Sequence, residues 1–274
     1  MAFALMRSND FAERLNQSAS IGDLRSLEFD ILSYLESNPE DSVTPMIILI
    51  ACYMNLNDIE NAELIVNKCY KLVKRNVPFD LAMYKANIEN AKGNNKEAFA
   101  IVRTLLKYQK LDERERVIAL IYLMIVNTNL ANFEEVYKYV LELWNIINHN
   151  SEIDFEEDSF YSKVSQYIDP RSLIGVVDKL KSYLKGKEQL KNNETYSEIY
   201  RYVKEYTNDN RLIEDIIPYE EVDIEFPDEK YFSLKLITKP MSVEESHNLE
   251  IQIARLIESN FPFILVLVDV IARK

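Results

Sequence analysis

Four segments of this 274-residue chain align without a gap, and this internal repeat constrains the fold more than any other feature. The copies begin at Gly22, Asn57, Gly93 and Ala131, so they are 35, 36 and 38 residues apart. A repeat of this length is typical of a helical solenoid, in which each helical hairpin buries its apolar face against its neighbours. The sequence therefore predicts a mainly α fold built from stacked hairpins.

Three columns of the alignment are apolar or small in every copy. They are Leu27/Ala62/Ala98/Val136, Ile31/Val66/Val102/Val140 and Tyr34/Cys69/Leu105/Leu143. Each aligned segment is interpreted as the second helix of a hairpin, with its first helix upstream and a short polar turn between them. The predicted turns are Gly22-Asp23, Asn57-Asp58, Gly93-Asn94-Asn95 and Ala131-Asn132. The predicted repeats lie near 8–38, 42–74, 80–109 and 112–147.

Over residues 8–147 the pattern resembles tetratricopeptide (TPR) repeats. Ala62 and Ala98 match the conserved alanine of that family, and Gly22 and Gly93 lie close to its turn. Leu27 and Val136 replace the alanine in the other two copies, the early tryptophan is absent, and related helical repeats with a looser consensus would give a similar pattern. The resemblance implies a right-handed solenoid of four or five hairpins whose first helices line a peptide-binding groove.

The repeat register weakens after residue 147. Amphipathic segments at 172–184 and 195–206 predict two helices around a polar connector at 185–194, which form either a fifth, degenerate hairpin or a cap on the solenoid. We expect these degenerate or capping helices to occupy 157–207. The predicted helical repeat domain therefore covers residues 1–207.

The last part of the chain, 208–274, predicts a small α+β domain with the order β-β-α-β. Alternating apolar residues predict strands at 222–226 and 231–239, and a continuous apolar run predicts a terminal strand at 263–271. A helix is predicted at 242–259, because Ser242 and Glu245 have the spacing of a capping box. Exposed strand edges and the apolar terminal strand predict a homodimer through 218–274.

Residues 222–271 are also similar to the C-terminal cytoplasmic domain of cation-diffusion-facilitator transporters, in which a strand pair precedes a helix that opens with a Ser-Val-Glu-Glu-Ala-His type sequence. Here that helix opens with SVEESH, and the resemblance implies that His247 contributes to a metal site. Asp269 lies roughly where the family has a further histidine on the last strand. One histidine and one aspartate cannot complete a tetrahedral site, so a metal-responsive regulatory protein is kept as the alternative function.

Composition excludes several partners. The net charge of −13 argues against nucleic acid, which is bound by lysine and arginine, and against anionic membrane surfaces. No apolar run is long enough to cross a bilayer, and the N-terminal residues are not typical of a signal peptide, so we expect a cytoplasmic protein. Cys52 and Cys69 fall at apolar helix positions and are predicted to be buried thiols.

No catalytic or cofactor motif is present. The chain has 4 glycines and 2 histidines, no Gly-x-Ser-x-Gly elbow, no phosphate-binding loop and no paired metal-ligand spacing. Acidic residues cluster at 152–158 and 214–229, in predicted connectors and on a strand, where solvated charge, a basic peptide or a loosely held divalent cation are the alternatives. We expect a non-enzyme that needs no cofactor.

The leading prediction is an acidic scaffold or adaptor that binds a protein or peptide segment in the groove of the first helices. Asparagine amides can hold a peptide backbone, and methionine and isoleucine offer adaptable apolar contact. The predicted groove residues are Asn9, Asn16, Thr44, Ile47, Met54, Met83, Asn87, Asn90, Ile121 and Thr128.

Overall fold

The computed structural model describes residues 2–39, 42–73, 77–148, 157–208, 212–222 and 229–272. The chain divides into two compact units, Met1–Val126 and Asn127–Lys274. Helices account for most of the described residues, and three strands lie near the C-terminus. The predicted fold class, helical hairpins followed by a small α+β part, is confirmed. The domain boundary after residue 207 stays a prediction.

The first unit consists of successive helical hairpins. Its helices are α1 (Ala2–Gln17), α2 (Ile21–Ser37), α3 (Val43–Asn55), α4 (Ile59–Leu72), α5 (Phe79–Ala91) and α6 (Asn95–Tyr108), followed by α7 (Glu113–Asn129), which continues into the second unit. The first helices α1, α3 and α5 pack side by side, and the second helices α2 and α4 contact the first helix of the next hairpin. This alternation is how hairpin repeats share one continuous core.

The three alignment columns are the buried stripe of the second helices. In the described structure every residue of the three columns is at most 4% exposed. Alanine, valine and leucine occupy equivalent sites, so the space available differs between repeats while the buried face stays the same. The aligned columns are thus the buried face of these helices, and the bounds of the individual repeats stay a prediction.

Three of the predicted turns adopt the same backbone conformation. Asn57, Gly93 and Ala131 hold the first alignment position and have φ of 57°, 82° and 55°. In each case the next residue donates its backbone N–H to the carbonyl five residues back, at 2.8 Å. This is the Schellman arrangement, which satisfies the last carbonyls of the first helix and reverses the chain.

The first predicted turn is wrong. Gly22 and Asp23 lie inside the first turn of α2, which begins at Ile21. The backbone N–H of Asp23 donates to Ser20 Oγ at 3.2 Å, and the Asp23 carboxylate accepts from the Ser20 N–H at 3.0 Å. This reciprocal capping box starts α2 nearly one turn earlier than the alignment predicts.

In its described residues the second unit contains four further helices, followed by a three-stranded sheet with one more helix between its second and third strands. Its elements are α8 (Phe133–Asn148), α9 (Glu157–Val164), α10 (Arg171–Asn192), α11 (Glu194–Thr207), β1 (Ile213–Val222), β2 (Lys230–Thr238), α12 (Val243–Asn260) and β3 (Leu267–Ala272). The polar connector predicted at 185–194 is wrong, because α10 runs through to Asn192 and only Asn193 separates it from α11. Lysine, glutamate and glutamine are good helix formers, so the polar sequence extends the helix.

The sheet has the predicted order β-β-α-β. β2 is central, pairs with β1 antiparallel and pairs with β3 parallel, and α12 makes the crossover. The described first strand is Ile213–Val222, earlier than predicted, and most of the predicted 222–226 lies outside the described residues. The predicted capping box of α12 is confirmed, with Ser242 and Glu245 exchanging bonds of 2.7 and 3.2 Å.

The two faces of the sheet differ in chemistry. On one face Phe232, Leu234 and Leu236 form a core with residues of α11 and α12. On the other face the Lys235 ammonium lies 2.7 Å from the Glu221 carboxylate and 3.2 Å from that of Asp269, joining all three strands. Burial works to lower the pKa of Lys235, but the hydrogen bond to Glu221 and the two carboxylate charges raise it above its ordinary value. Lys235 is therefore a fixed cation.

Candidate functional site

The predicted groove residues of α3 share one face of that helix. Thr44, Ile47 and Met54 follow one another at helical spacing. Thr44 is exposed, while Ile47 and Met54 are half-buried and pack against the core of the first unit. This face therefore presents partly accessible apolar side chains.

On α5 the predicted residues form a polar stripe. Asn87 and Asn90 are half-buried, and Met83 lies one turn earlier and is buried. Within the described residues the side-chain amides of both asparagines make no hydrogen bond. The two helices that carry these residues, α3 and α5, are in contact. We call the surface of Thr44, Ile47, Met54, Asn87 and Asn90 the first-helix face.

Partly buried amides without protein partners have a definite chemical capacity. Each amide offers an acceptor oxygen and two donor hydrogens, which match the carbonyl and N–H groups of an extended peptide. Both amides remain partly accessible to water, so a ligand would exchange their hydrogen bonds with water for bonds to its own backbone, each worth about 1 kcal/mol net. Burial and then the charge of Asp80 raise the pKa of neighbouring Tyr84, so its phenol stays protonated and neutral at physiological pH.

Four predicted groove residues lie elsewhere. Asn16 is exposed on α1, and the side chain of Asn9 falls outside the described part of the structure. Ile121 is 4% exposed on α7, so its surface is taken up by packing. Thr128 is also buried and belongs to the second unit. The structure thus places the α3 and α5 residues on two helices that are in contact, and the roles of all ten stay predictions.

The predicted metal ligand His247 is exposed on α12. Its Nδ1 lies 3.5 Å from the Glu250 carboxylate, whose Oε1 also accepts the backbone N–H of Val270 at 3.1 Å. Asp269 is paired with Lys235, and a fixed cation beside a carboxylate opposes the binding of a metal ion. Across the described residues no group of three or more histidine, cysteine, aspartate or glutamate side chains could hold a metal. No observation favours the metal-responsive alternative.

The cysteines have the properties of core residues, as predicted. Both are buried and free. Burial raises the pKa of the Cys52 and Cys69 thiols to about 11, so neither is a thiolate at neutral pH. Neither thiol is activated for nucleophilic chemistry.

One surface was missed by the sequence analysis. A groove on the second-helix side of the first unit lies between α2, the start of α3 and the end of α4. Two lysines at its rim are the only sequence signal, because its apolar residues also satisfy the helical repeat pattern. No side chain of this groove belongs to the first-helix face.

Comparisons with known proteins leave the family open. No protein-family model matches this chain, and no curated protein matches it. A structure of Haemophilus influenzae LpoA is similar at 13% identity and a TM-score of 0.33, over 97% of this chain and 46% of that one. This chain thus spans about half the length of LpoA, and so distant a likeness carries no argument about function.

None of the helices in the described part of the chain is both long and apolar enough to span a bilayer.

Proposed function

We propose that this protein is a non-enzymatic, cytoplasmic adaptor or scaffold that binds an extended segment of a partner protein on its first-helix face. The observation that carries the proposal is the pair of half-buried amides, Asn87 and Asn90, that make no hydrogen bond within the described residues. Their helix α5 is in contact with α3, on which Ile47 and Met54 are partly accessible. A peptide backbone would pair with the amides while its side chains contact the apolar stripe.

The test is an affinity capture that compares three forms of the full chain. These are the wild type, Asn87→Ala/Asn90→Ala, and the control Asn67→Ala/Asn145→Ala, whose asparagines are exposed on second helices. Partners are identified by mass spectrometry. The partner that Asn87→Ala/Asn90→Ala loses most strongly is selected, and its binding segment is then titrated with the purified proteins. We expect Asn87→Ala/Asn90→Ala to bind the segment about tenfold more weakly than the wild type, since two hydrogen bonds to the ligand are lost.

The control should bind that segment as tightly as the wild type does. Recovery of the same partners by both variants, or equal weakening in both, would show that the first-helix face is not the binding surface.

We also propose that the second unit supplies self-association. The connection between α12 and β3 exposes apolar side chains, with Phe263 fully exposed and Leu265 at 61%. Of the two edge strands, β1 is covered by α10, whereas β3 has the Val270 N–H engaged by Glu250. The apolar connection is therefore a better contact for a second copy than strand-edge pairing.

A further inference from the structure

The groove on the second-helix side, which we call the outer groove, has an apolar floor. It is a shallow, solvent-open groove with a volume of about 380 Å³. Its apolar lining comes from Leu35 of α2, Pro39 after α2, Met46 of α3 and Leu72 of α4. Leu72 is 50% exposed, so a substantial apolar surface remains in contact with water. Covering such surface is favourable for any partner that fits it.

The charged lining of the outer groove is positive. Lys68 and Lys71 of α4 stand at its rim, and both are exposed. Within the described residues neither lysine forms an ion pair. The sequence between Glu63 and Asp80 holds four basic residues and no acidic one, in a chain of net charge −13. This is a local reversal of the charge of the protein.

Some neighbouring charges fall outside the described residues. Lys74 and Arg75 continue the basic sequence, and Glu40 and Asp41 lie between Pro39 and Ser42 in the chain. The charge of the described lining is therefore that of the two lysines.

A buried hydroxyl adds a polar contact to the floor. Ser42 is 8% exposed and lines the outer groove. It holds the N-cap position of α3, yet its hydroxyl makes no cap bond, because its backbone is helical (φ −101°, ψ −22°). No other hydrogen bond of this hydroxyl occurs among the described residues. An unpaired hydroxyl on an apolar floor can bond to a polar group of a ligand.

The apolar surface extends beyond the lining residues along both helices. On α4, Leu64 lies one turn before Lys68 and is 53% exposed. On α2, Leu32 lies three residues before Leu35 and is 38% exposed. Residues three or four apart share one face of a helix, so each of these leucines lies on the same helix face as a lining residue. A longer apolar ligand could reach them from the groove.

From this combination we propose that the outer groove binds an acidic amphipathic helix of a partner protein, at a surface separate from the first-helix face. The leucines of the partner would cover Leu35, Met46 and Leu72, and its carboxylates would pair with Lys68 and Lys71. Helix-in-groove recognition of this kind places residues i, i+3, i+4 and i+7 of the ligand on the apolar surface. Charge complementarity selects an acidic ligand because both charged residues of the described lining are lysines, and neither forms an ion pair within the described part of the chain.

Other occupants fit the observations less well. Nucleic acid and anionic membranes are recognised by broad positive fields, whereas here two lysines flank an apolar groove on a protein of net charge −13. A small carboxylate would leave the exposed Leu32 and Leu64 uncovered. An amphipathic acidic helix engages the lysines and the leucines together.

The experiment measures the binding of a fluorescein-labelled, 14-residue peptide, equal in length to α4, to the full chain by fluorescence anisotropy. The peptide carries leucine at every third or fourth position and glutamate elsewhere, and a second peptide carries glutamine in place of glutamate. The protein variants are Lys68→Glu/Lys71→Glu and the control Arg103→Glu/Lys107→Glu, which makes the same charge change on exposed residues of α6. Circular dichroism checks that both variants keep the helical content of the wild type.

We expect Lys68→Glu/Lys71→Glu to weaken binding of the acidic peptide by at least about fivefold and the control to leave it within about twofold. The glutamine peptide should bind more weakly than the glutamate peptide, and the difference should shrink at about 0.5 M salt. Equal weakening in the two variants, or no binding of the acidic peptide in the micromolar range, would overturn the proposal.

Two further measurements separate the remaining occupants. Phosphatidylserine vesicles that sediment the wild type but not Lys68→Glu/Lys71→Glu would assign the outer groove to a membrane and contradict the proposal. Self-association that this variant abolishes, measured by sedimentation velocity, would assign it to a second copy and contradict it equally. The result does not depend on Asn87 and Asn90, so it stands or fails apart from the first-helix face.

Discussion

At the scale of single residues, one backbone conformation is supplied by three different residue types. Asn57, Gly93 and Ala131 all take positive φ at the same position of the repeat. Glycine reaches this region without strain and asparagine tolerates it, whereas the Cβ of alanine makes it costly. Ala131 keeps the conformation because the Schellman bonds around it satisfy carbonyls of α7, with the N–H of Asn132 reaching the carbonyl of Asn127 at 2.8 Å.

The two glycines of the first unit should respond oppositely to alanine. Gly93→Ala should lower the free energy of unfolding by about 1 kcal/mol, because its φ of 82° strains any residue with a Cβ. Gly22→Ala should leave it unchanged or raise it by up to about 1 kcal/mol, because Gly22 is helical and the new Cβ would meet only Ser20 Oγ at 3.6 Å. Urea unfolding followed by circular dichroism measures both.

If Gly22→Ala lost as much stability as Gly93→Ala, Gly22 would have to lie in a turn. That result would contradict the capping box at Ser20.

Two serines show how much of a helix start is legible in sequence. Ser242 has Glu245 three residues later and forms the capping box that this spacing predicts. Ser42 is followed at that spacing by Pro45, which has no N–H to donate, and its hydroxyl makes no cap bond. A capping box needs both partners. The capping box at Ser242 was therefore predictable from the sequence, and no capping box was to be expected at Ser42.

At the scale of elements, a tertiary contact of α10 explains why position 186 requires a glycine. Gly186 lies in a polar sequence through which α10 continues, and α10 packs on β1. A Cβ at Gly186 would stand 2.4 Å from the backbone nitrogen of Tyr219. The helix backbone thus approaches the strand more closely than any other residue would permit, and α10 covers that edge of the sheet.

Gly186→Ala should therefore destabilise the second unit by at least about 2 kcal/mol, because the clash is with backbone atoms that cannot rotate away. The matched control is Gly175→Ala in the same helix, where the new Cβ meets nothing within 4 Å. The control should stabilise by about 0.5–1 kcal/mol through helix propensity. Thermal unfolding and amide hydrogen exchange of β1 measure the difference.

If both glycine variants of α10 unfold alike, the close approach of α10 to β1 is not present in solution.

At the scale of the whole molecule, two compact units provide surfaces of different chemistry. The first unit holds the amides of the first-helix face and the cationic rim of the outer groove. The second unit holds a sheet whose charged face is internally paired through Lys235. Unpaired polar groups and exposed apolar side chains, rather than paired charges, are the features that a partner can exploit.

Self-association of the full chain should be lost in Phe263→Asp/Leu265→Asp. We expect the wild type to be a dimer by gel filtration with light scattering and this variant to be a monomer, because a carboxylate on each of these side chains resists transfer from water into an interface. Val243→Asp is the control, since Val243 is 88% exposed at the start of α12, outside the connection to β3. It should remain dimeric.

If the wild type were monomeric at all concentrations tested, or if the control dissociated as well, the apolar connection between α12 and β3 would not be the self-association surface.

The sequence alone determined the hairpin repeat, its buried columns, the order β-β-α-β and the capping box of α12. Each of these depends on local spacing: an apolar face recurs at helical or strand period, and a cap needs two residues three apart. Such patterns stay visible in one dimension because the interacting residues are close in the chain or recur in every repeat.

Only the tertiary structure decided the start of β1 at Ile213, the close packing of α10 on β1 and the outer groove. The close approach at Gly186 depends on Tyr219, 33 positions later in the chain. Lys68 and Lys71 border an apolar groove because the ends of α2 and α4 meet at the start of α3. These features arise from residues distant in sequence, and their free energy depends on packing geometry that no local pattern records.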